Sequence, residues 1–345
     1  MKWASGNQGG PTKRTPRPVL RALEALAQSP INTTPRCARR NHTSALAMAE
    51  GQDFAHDTLY RALNQPLALF FELSLELCKG VGGLNRGYLL LDDVLIQRYR
   101  TPLRGERSIS GKLSLKKARD TSTGAWVFGL SLVVLAWTDG KRRIPLAFLP
   151  YFGEEESKLE LALALLEWAK EAGFRPEGVL FDAWYAAKQV LEWLHDHGWS
   201  FVTRLRSNRV LEGVQLRRHG GTRWVKTGKL RGLTFAVGVL KRGGKFYGTD
   251  REEWWGVGMR EIYRFRQAIE EIFRGLQQEL GWTGHRHWRR ARLLAHLALG
   301  LVAYGLIERQ REGLGLSFYQ CRRRLIAGKL SLDLSPLLPV QVEAA

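Results

Sequence analysis

A run in the C-terminal half, Tyr263 to Gln277 (YRFRQAIEEIFRGLQ), carries residue types that could do chemistry together. At about 100° per residue, a helix would place Tyr263, Arg266, Glu270 and Gln277 on one stripe roughly 60° wide, with Arg274 at its edge. Ile262, Phe265, Ile269, Phe273, Leu276 and Leu280 form the neighbouring apolar face, and Glu271 falls off the stripe. A carboxylate beside a guanidinium and a phenol can hold a cation and grip a phosphate. The same stripe on its own also fits a charged surface ladder. Which of the two applies depends on what the rest of the chain brings to it.

The upstream chain alternates strand and helix patterns. Tyr88–Ile96 (YLLLDDVLI) reads as a buried strand holding two acids, Asp92 and Asp93. Ala125–Trp137 and Arg143–Phe152 form a hairpin about Thr138-Asp139-Gly140, where Asp-Gly is the turn signal. A helix over Glu154–Ala172, a short strand Val179–Asp182, a helix over Tyr185–His197 and a strand Trp199–Leu205 follow. Residues 208–249 read as short strands with glycine turns, ahead of the helix containing Glu270. The expected fold class is α/β: a ribonuclease-H-like mixed sheet with flanking helices, a β-rich insertion (208–249) before the last catalytic helix, and a small helical N-terminal region. In that strand order, Asp92 (or Asp93), Asp182 and Glu270 would meet. A lone aspartate at a strand end is usually a cap, but three acids meeting in one topology would repel one another unless a divalent metal held them.

Charge points the same way. The 345 residues hold 53 Lys+Arg against 33 Asp+Glu, a net charge of +20, which favours a polyanionic partner. The cations cluster: eight lie between Arg98 and Asp120, and nine arginines lie between Arg286 and Arg324. Cys37, Cys78 and Cys321 have no metal-ligand spacing, which suits a reducing compartment. No GxGxxG or GxxxxGK[ST] stretch occurs, which disfavours a nucleotide cofactor. His285 and His287 have no cysteine or acid beside them at zinc spacing, so a phosphate contact is the better reading. The longest apolar run, Leu293–Ile307, contains His296 and is short for a membrane span, which predicts a core helix.

On these residues the chain resembles the DDE transposases of bacterial insertion sequences, in the branch whose third acid lies in a Y-xx-R-xxx-E-xxxxxx-K signature. Tyr263, Arg266 and Glu270 match that spacing, Gln277 stands in the lysine position, and residues 179–208 resemble the block around the second aspartate. The first block usually reads D-x-T; here it is Asp92-Asp93-Val94, without the threonine. The resemblance implies catalytic and metal-binding roles for Asp92 (Asp93 as alternative), Asp182 and Glu270, with two Mg²⁺ ions that Mn²⁺ could replace. It implies DNA contacts by Tyr263, Arg266 and Gln277. Arg274 could substitute for the missing lysine, and Trp184 could stack on a flipped base, although core packing is the commoner fate of such a tryptophan. The implied function is metal-dependent DNA cleavage and strand transfer at element ends. The implied partners are double-stranded DNA (terminal inverted repeats and target) and a second copy of the chain as a homodimer on the DNA, in the cytoplasm at the nucleoid. Gln277 and Val94 keep two alternatives open: a DNA-binding protein without chemistry, or a nuclease on the same fold.

Four regions complete the expected organisation. Residues 1–40 read as a basic, mostly unstructured tail with one short helix near Leu20–Ala27. Residues 41–85 read as helical, with a possible helix-turn-helix made of Ser44–Glu50 and Phe54–Leu63. Residues 86–310 form the catalytic domain and 311–345 a C-terminal tail.

Overall fold

The computed structural model describes residues 15–29, 53–97, 116–119, 124, 126–152, 156–283 and 289–338. Its centre is a nine-stranded sheet. β1 (Tyr88–Gln97) lies in the middle, antiparallel to β3 (Trp126–Thr138) and parallel to β5 (Gly178–Phe181), which is parallel in turn to β6 (Phe201–Leu205). β4 (Arg143–Tyr151) and the short β2 (Lys116–Arg119) both pair with β3. β4 tolerates Pro145 and Pro150 because it pairs with β3 alone and donates no ladder bond on its free side. Gly140, at φ 89°, makes the β3–β4 turn. This is the mixed order expected from the sequence.

The insertion does not form a separate unit. After the two-residue strands β7 (Val210–Leu211) and β8 (Val214–Gln215), the strands β9 (Arg223–Lys229), β10 (Ala236–Arg242) and β11 (Lys245–Thr249) extend the main sheet in the order β6-β11-β10-β9.

The helices also differ from expectation at several places. The short helix expected near Leu20–Ala27 is α1 (Arg17–Gln28), but it is packed rather than part of a loose tail: Val19, Ala22, Leu23 and Leu26 are at most 1% exposed. Their i, i+3, i+4, i+7 spacing makes an apolar stripe that needs a partner. α2 (His56–Leu63) and α3 (Leu67–Lys79) follow. The first helix of the supposed helix-turn-helix, Ser44–Glu50, lies outside the described residues, as do Cys37, His285 and His287. α4 (Lys158–Glu171) begins at a capping box in which Ser157 and Glu160 exchange hydrogen bonds. α5 spans Lys188–Asp196, shorter than the run from Tyr185.

The helix expected over Tyr263–Gln277 is two helices, α6 (Val257–Arg264) and α7 (Gln267–Glu279). At the break the bonds tighten to i→i−3, with Phe265 N to Ile262 O and Arg266 N to Tyr263 O, so the stripe is not one continuous wheel.

α8 (Arg290–Gly313) is, among the described residues, the one helix long and apolar enough to cross a membrane. Its most apolar window is 89% buried within the protein, as a core helix should be. It packs on α1, α3, α7 and β4. Gly275 of α7 lets Tyr304 of α8 approach, since a Cβ there would lie 2.7 Å from the Tyr304 ring. α9 (Phe318–Ile326), in the supposed C-terminal tail, closes the bundle by stacking Phe318 on Tyr304 at 4.4 Å.

One acid is sealed inside this bundle. Glu308 of α8 has no solvent exposure and accepts from Arg311 Nη2 at 2.6 Å, Arg311 Nε at 2.7 Å and the Arg143 backbone N–H at 3.1 Å. Removing it would leave two guanidinium groups short of a partner. Glu308→Ala is expected to lower unfolding stability by about 3–5 kcal/mol, read as a shifted denaturant midpoint with an unchanged slope.

Candidate active site

β1 runs in unbroken register with β3 from Tyr88 to Gln97, and successive side chains on a strand alternate faces. Asp92 and Asp93 therefore point to opposite faces of the sheet. Asp92 faces α7: its Oδ2 accepts from Arg266 Nη2 at 2.6 Å, and Arg266 Nη1 donates to Glu270 Oε1 at 2.8 Å. One guanidinium thus bridges an acid on the central strand and an acid on α7. Asp93 is engaged on the other face by Lys158 Nζ at 2.5 Å and Tyr185 OH at 3.1 Å. The two aspartates, alternatives in the sequence, occupy different surroundings.

Asp182 directly follows β5. Its Oδ1 accepts the Trp184 backbone N–H at 2.7 Å, a side-chain-closed turn that fixes the carboxylate at the strand's C-terminal edge. The Leu90↔Leu180 pairing puts Asp92 and Asp182, each two residues further on, at the same level of the parallel pair. Electrostatics registers their proximity. Burial pushes the Asp92 carboxyl up to about 7; Arg266 pulls it down, while Asp182 and Asp93 push it up again. Burial also works against the charge on Arg266, yet Asp92, Tyr263 and Glu270 together raise its pKa. Arg266 stays cationic, and any proton shared by the pair resides on Asp92.

The other residues of the signature fall close by. Tyr263 lies in the last turn of α6 with its ring edge-on to Tyr247 at 5.3 Å. Burial, with Asp182 and Asp92 adding to it, raises its pKa despite Arg266 and Arg204, so the hydroxyl remains a donor. Glu270, Arg274 and Gln277 occupy one face of α7, with Gln277 about 10 Å along the axis from Glu270. Trp184 is 41% exposed, edge-on to Tyr185 at 4.9 Å, with Lys158 Nζ 5.8 Å from its ring. The expectation of core packing fails because the Asp182 turn lifts the indole off the strand end.

Among the described residues, no group of three or more His, Cys, Asp and Glu side chains is gathered to hold a metal. Glu270 is directed to Arg266, with 57% of its side chain exposed. The pair Asp92 and Asp182 still has the donor chemistry for a hard divalent cation: carboxylate oxygens only. Asp92 is a buried acid whose charge Arg266 does not fully offset, since its pKa stays near 7. A further cation beside it would be stabilised.

Sequence reasoning did not find Lys158 and Tyr185 as the partners of Asp93; strand alternation along YLLLDDVLI carried the signal that the two aspartates diverge. It also overlooked Arg204, which lies level with Asp182 on β6, because that placement needs the Leu180↔Val202 register.

A central strand bearing an acid, a second acid at the end of the adjacent parallel strand and a third on a covering helix fit the ribonuclease-H-like fold expected from the sequence. The sequence profile described as "Transposase DDE domain" matches residues 88–306, and the chain belongs to that family. Among solved structures, the chain is similar to piggyBac transposase in a synaptic complex with hairpin DNA, at 12% identity and a TM-score of 0.52, covering 100% of this chain and 80% of that one. The Mos1 strand transfer complex is similar at 12% identity over 57% of this chain and 60% of that one, with a TM-score of only 0.20. No curated protein matches the chain.

Folded Asp92 keeps a proton that the unfolded chain releases, so unfolding stability should fall as pH rises from about 4 to about 7 and stay low above that. Arg266, Asp182 and Tyr263 face the group, Asp93 acts on it from the neighbouring position of the strand, and Asn removes its titration. In metal-free buffer, Asp92→Asn should gain on wild type by of order 2–4 kcal/mol between pH 4 and pH 8, read from denaturant midpoints at the two values.

Proposed function

We propose that the protein is a transposase of the bacterial insertion-sequence type, in the branch carrying the Tyr-Arg-Glu signature, which cleaves DNA at element ends and joins them to target DNA. The observation that carries this reading is the Arg266 bridge from Asp92 to Glu270, with Asp182 level with Asp92 on the next parallel strand. Membership of the transposase DDE domain family supports it, since such domains are generally dependent on divalent metals. So does the +20 charge, which suits DNA.

Asp92, Asp182 and Glu270 are the residues that would hold Mg²⁺, or Mn²⁺ in its place. When bound, the ions neutralise charge on the reacting phosphodiester and favour the attacking oxygen. The protein's own part is positioning. Arg266 orients Asp92 and Glu270 and offers its guanidinium to the phosphate beside the scissile one. The Tyr263 hydroxyl, kept protonated, donates to a phosphate oxygen. Gln277 and Arg274, further along α7, reach later phosphates, and the exposed Trp184 offers a ring for an unstacked base. Water attacks phosphorus and the P–O3′ bond breaks, leaving a 3′-hydroxyl and a 5′-phosphate. The 3′-hydroxyl then attacks a target phosphodiester in line and displaces its 3′-oxygen. A dimer that brings two ends together completes the reading.

Gln277 in the lysine position and Val94 in the threonine position favour a second reading, DNA binding without cleavage. One assay separates the two. A plasmid carrying the gene's own flanking DNA is incubated with protein and Mg²⁺ or with chelator. Cleavage and joining should need the metal, and Asp182→Asn and Glu270→Gln should each slow cutting by at least about 10³-fold. Variants that cut like the wild type would refute the transposase assignment; binding with no cutting by the wild type would leave the second reading.

A further inference from the structure

Residues paired across a sheet share a face, so the register extends the acid site outward. Leu180↔Val202 places Arg204 level with Asp182, and Arg204↔Tyr247 carries the row on to β11. Arg204 acts electrostatically on Tyr263, and its Nε is buried with no hydrogen-bond partner among the described residues. It is a cation beside the acids with donor capacity left over.

One step further along the same strands lies a second row on the same face. Lys245 pairs with Arg242, and Arg242 with Arg223, while Arg206, two residues past Arg204, lies level with Lys245. The row therefore holds four cations, Arg206, Lys245, Arg242 and Arg223, on β11, β10, β9 and the end of β6. Among the described residues, the side chains of these four form no ion pair or hydrogen bond, in contrast to Arg142, Arg143, Arg266 and Arg311, each of which meets an acid. At about 4.8 Å per strand the row spans roughly 14 Å, or about four nucleotide steps of 3.4 Å. A solvated charged face is the ordinary reading of scattered lysines and arginines. Here they are collinear, uncompensated, and start next to an unsatisfied arginine at the acid site.

We propose that this row is a phosphate track: Arg204 binds the phosphate next to the scissile one, and Arg206, Lys245, Arg242 and Arg223 bind the successive phosphates of the same DNA strand as it leaves across the inserted part of the sheet. The proposal rests on the transposase reading for its orientation, but it concerns binding and is tested without metal. The probe is a fluorescein-labelled 20-nucleotide single strand, with anisotropy followed from 50 to 300 mM salt. Replacing Lys245, Arg242 and Arg223 together by Gln should reduce the salt slope by about two and weaken binding by about 100-fold at 0.1 M salt. A control that changes charge equally on α9 and beyond, with Arg323, Arg324 and Lys329 replaced by Gln, should lose far less. Arg204→Gln should weaken binding and Arg204→Lys restore most of it. If Arg204→Gln loses its cooperative thermal melt, the outer triple variant and Arg204→Lys decide. An unchanged slope in the triple variant, or an equal loss in the control, overturns the track. Wild-type protein that binds through the row yet never cuts in Mg²⁺ sinks the transposase reading and leaves the track standing.

Discussion

Everything at the site depends on one constraint: a carboxylate, Asp92, is buried on the central strand and must be neutralised there. Arg266 meets it at 2.6 Å and satisfies Glu270 with its other terminal nitrogen, so the position of α7 over the sheet is tied to the charge on β1. Burial still outweighs the pairing, since the carboxyl sits near 7 rather than in the usual carboxylate range. A buried acid only partly neutralised by a fixed cation is unfavourable for folding alone. On the proposed reading, it suits a site that takes up further positive charge in use.

The sheet does the measuring. Parallel pairing of β1, β5 and β6 sets Asp92, Asp182 and Arg204 level with one another, and antiparallel pairing of β6, β11, β10 and β9 carries that level outward. Adding the insertion to the main sheet, rather than folding it apart, keeps its side chains in register with the acids. Alternation does the opposite for Asp93, which Lys158 and Tyr185 hold on the other face.

What was legible in the sequence were the features that local physics dictates. The apolar run around Asp92, the Asp-Gly hairpin and the short strand before Asp182 each matched an observed element, and their order was enough to anticipate the mixed sheet. The misses came where distant parts of the chain decide. The short helix near Leu20–Ala27 was legible, but not that α1 packs into the fold rather than lying in a tail, because its stripe counts only once α8 and α9 cover it. The break at Phe265–Arg266 does not appear on a helical wheel, which assumes one unbroken period. Trp184 is exposed because a backbone turn at Asp182 governs its direction, and Arg204 acquired meaning only from a register that no single strand encodes.

The buried Arg322 joins three parts of the chain that are far apart in sequence. Its guanidinium donates to the carbonyls of Leu26, Ala27 and Ser29 at the end of α1, and to Glu279 at the end of α7, the helix that carries Glu270. Burial pulls its pKa down to about 10, so it remains charged at neutral pH and binds those carbonyl ends as a cation. During translation α1 emerges well before its clamp, which arrives some three hundred residues later. The helix bearing Glu270 is therefore fastened only once α9 has left the ribosome, so a nascent chain carries Asp92, Asp182 and Glu270 before α7 is held in place.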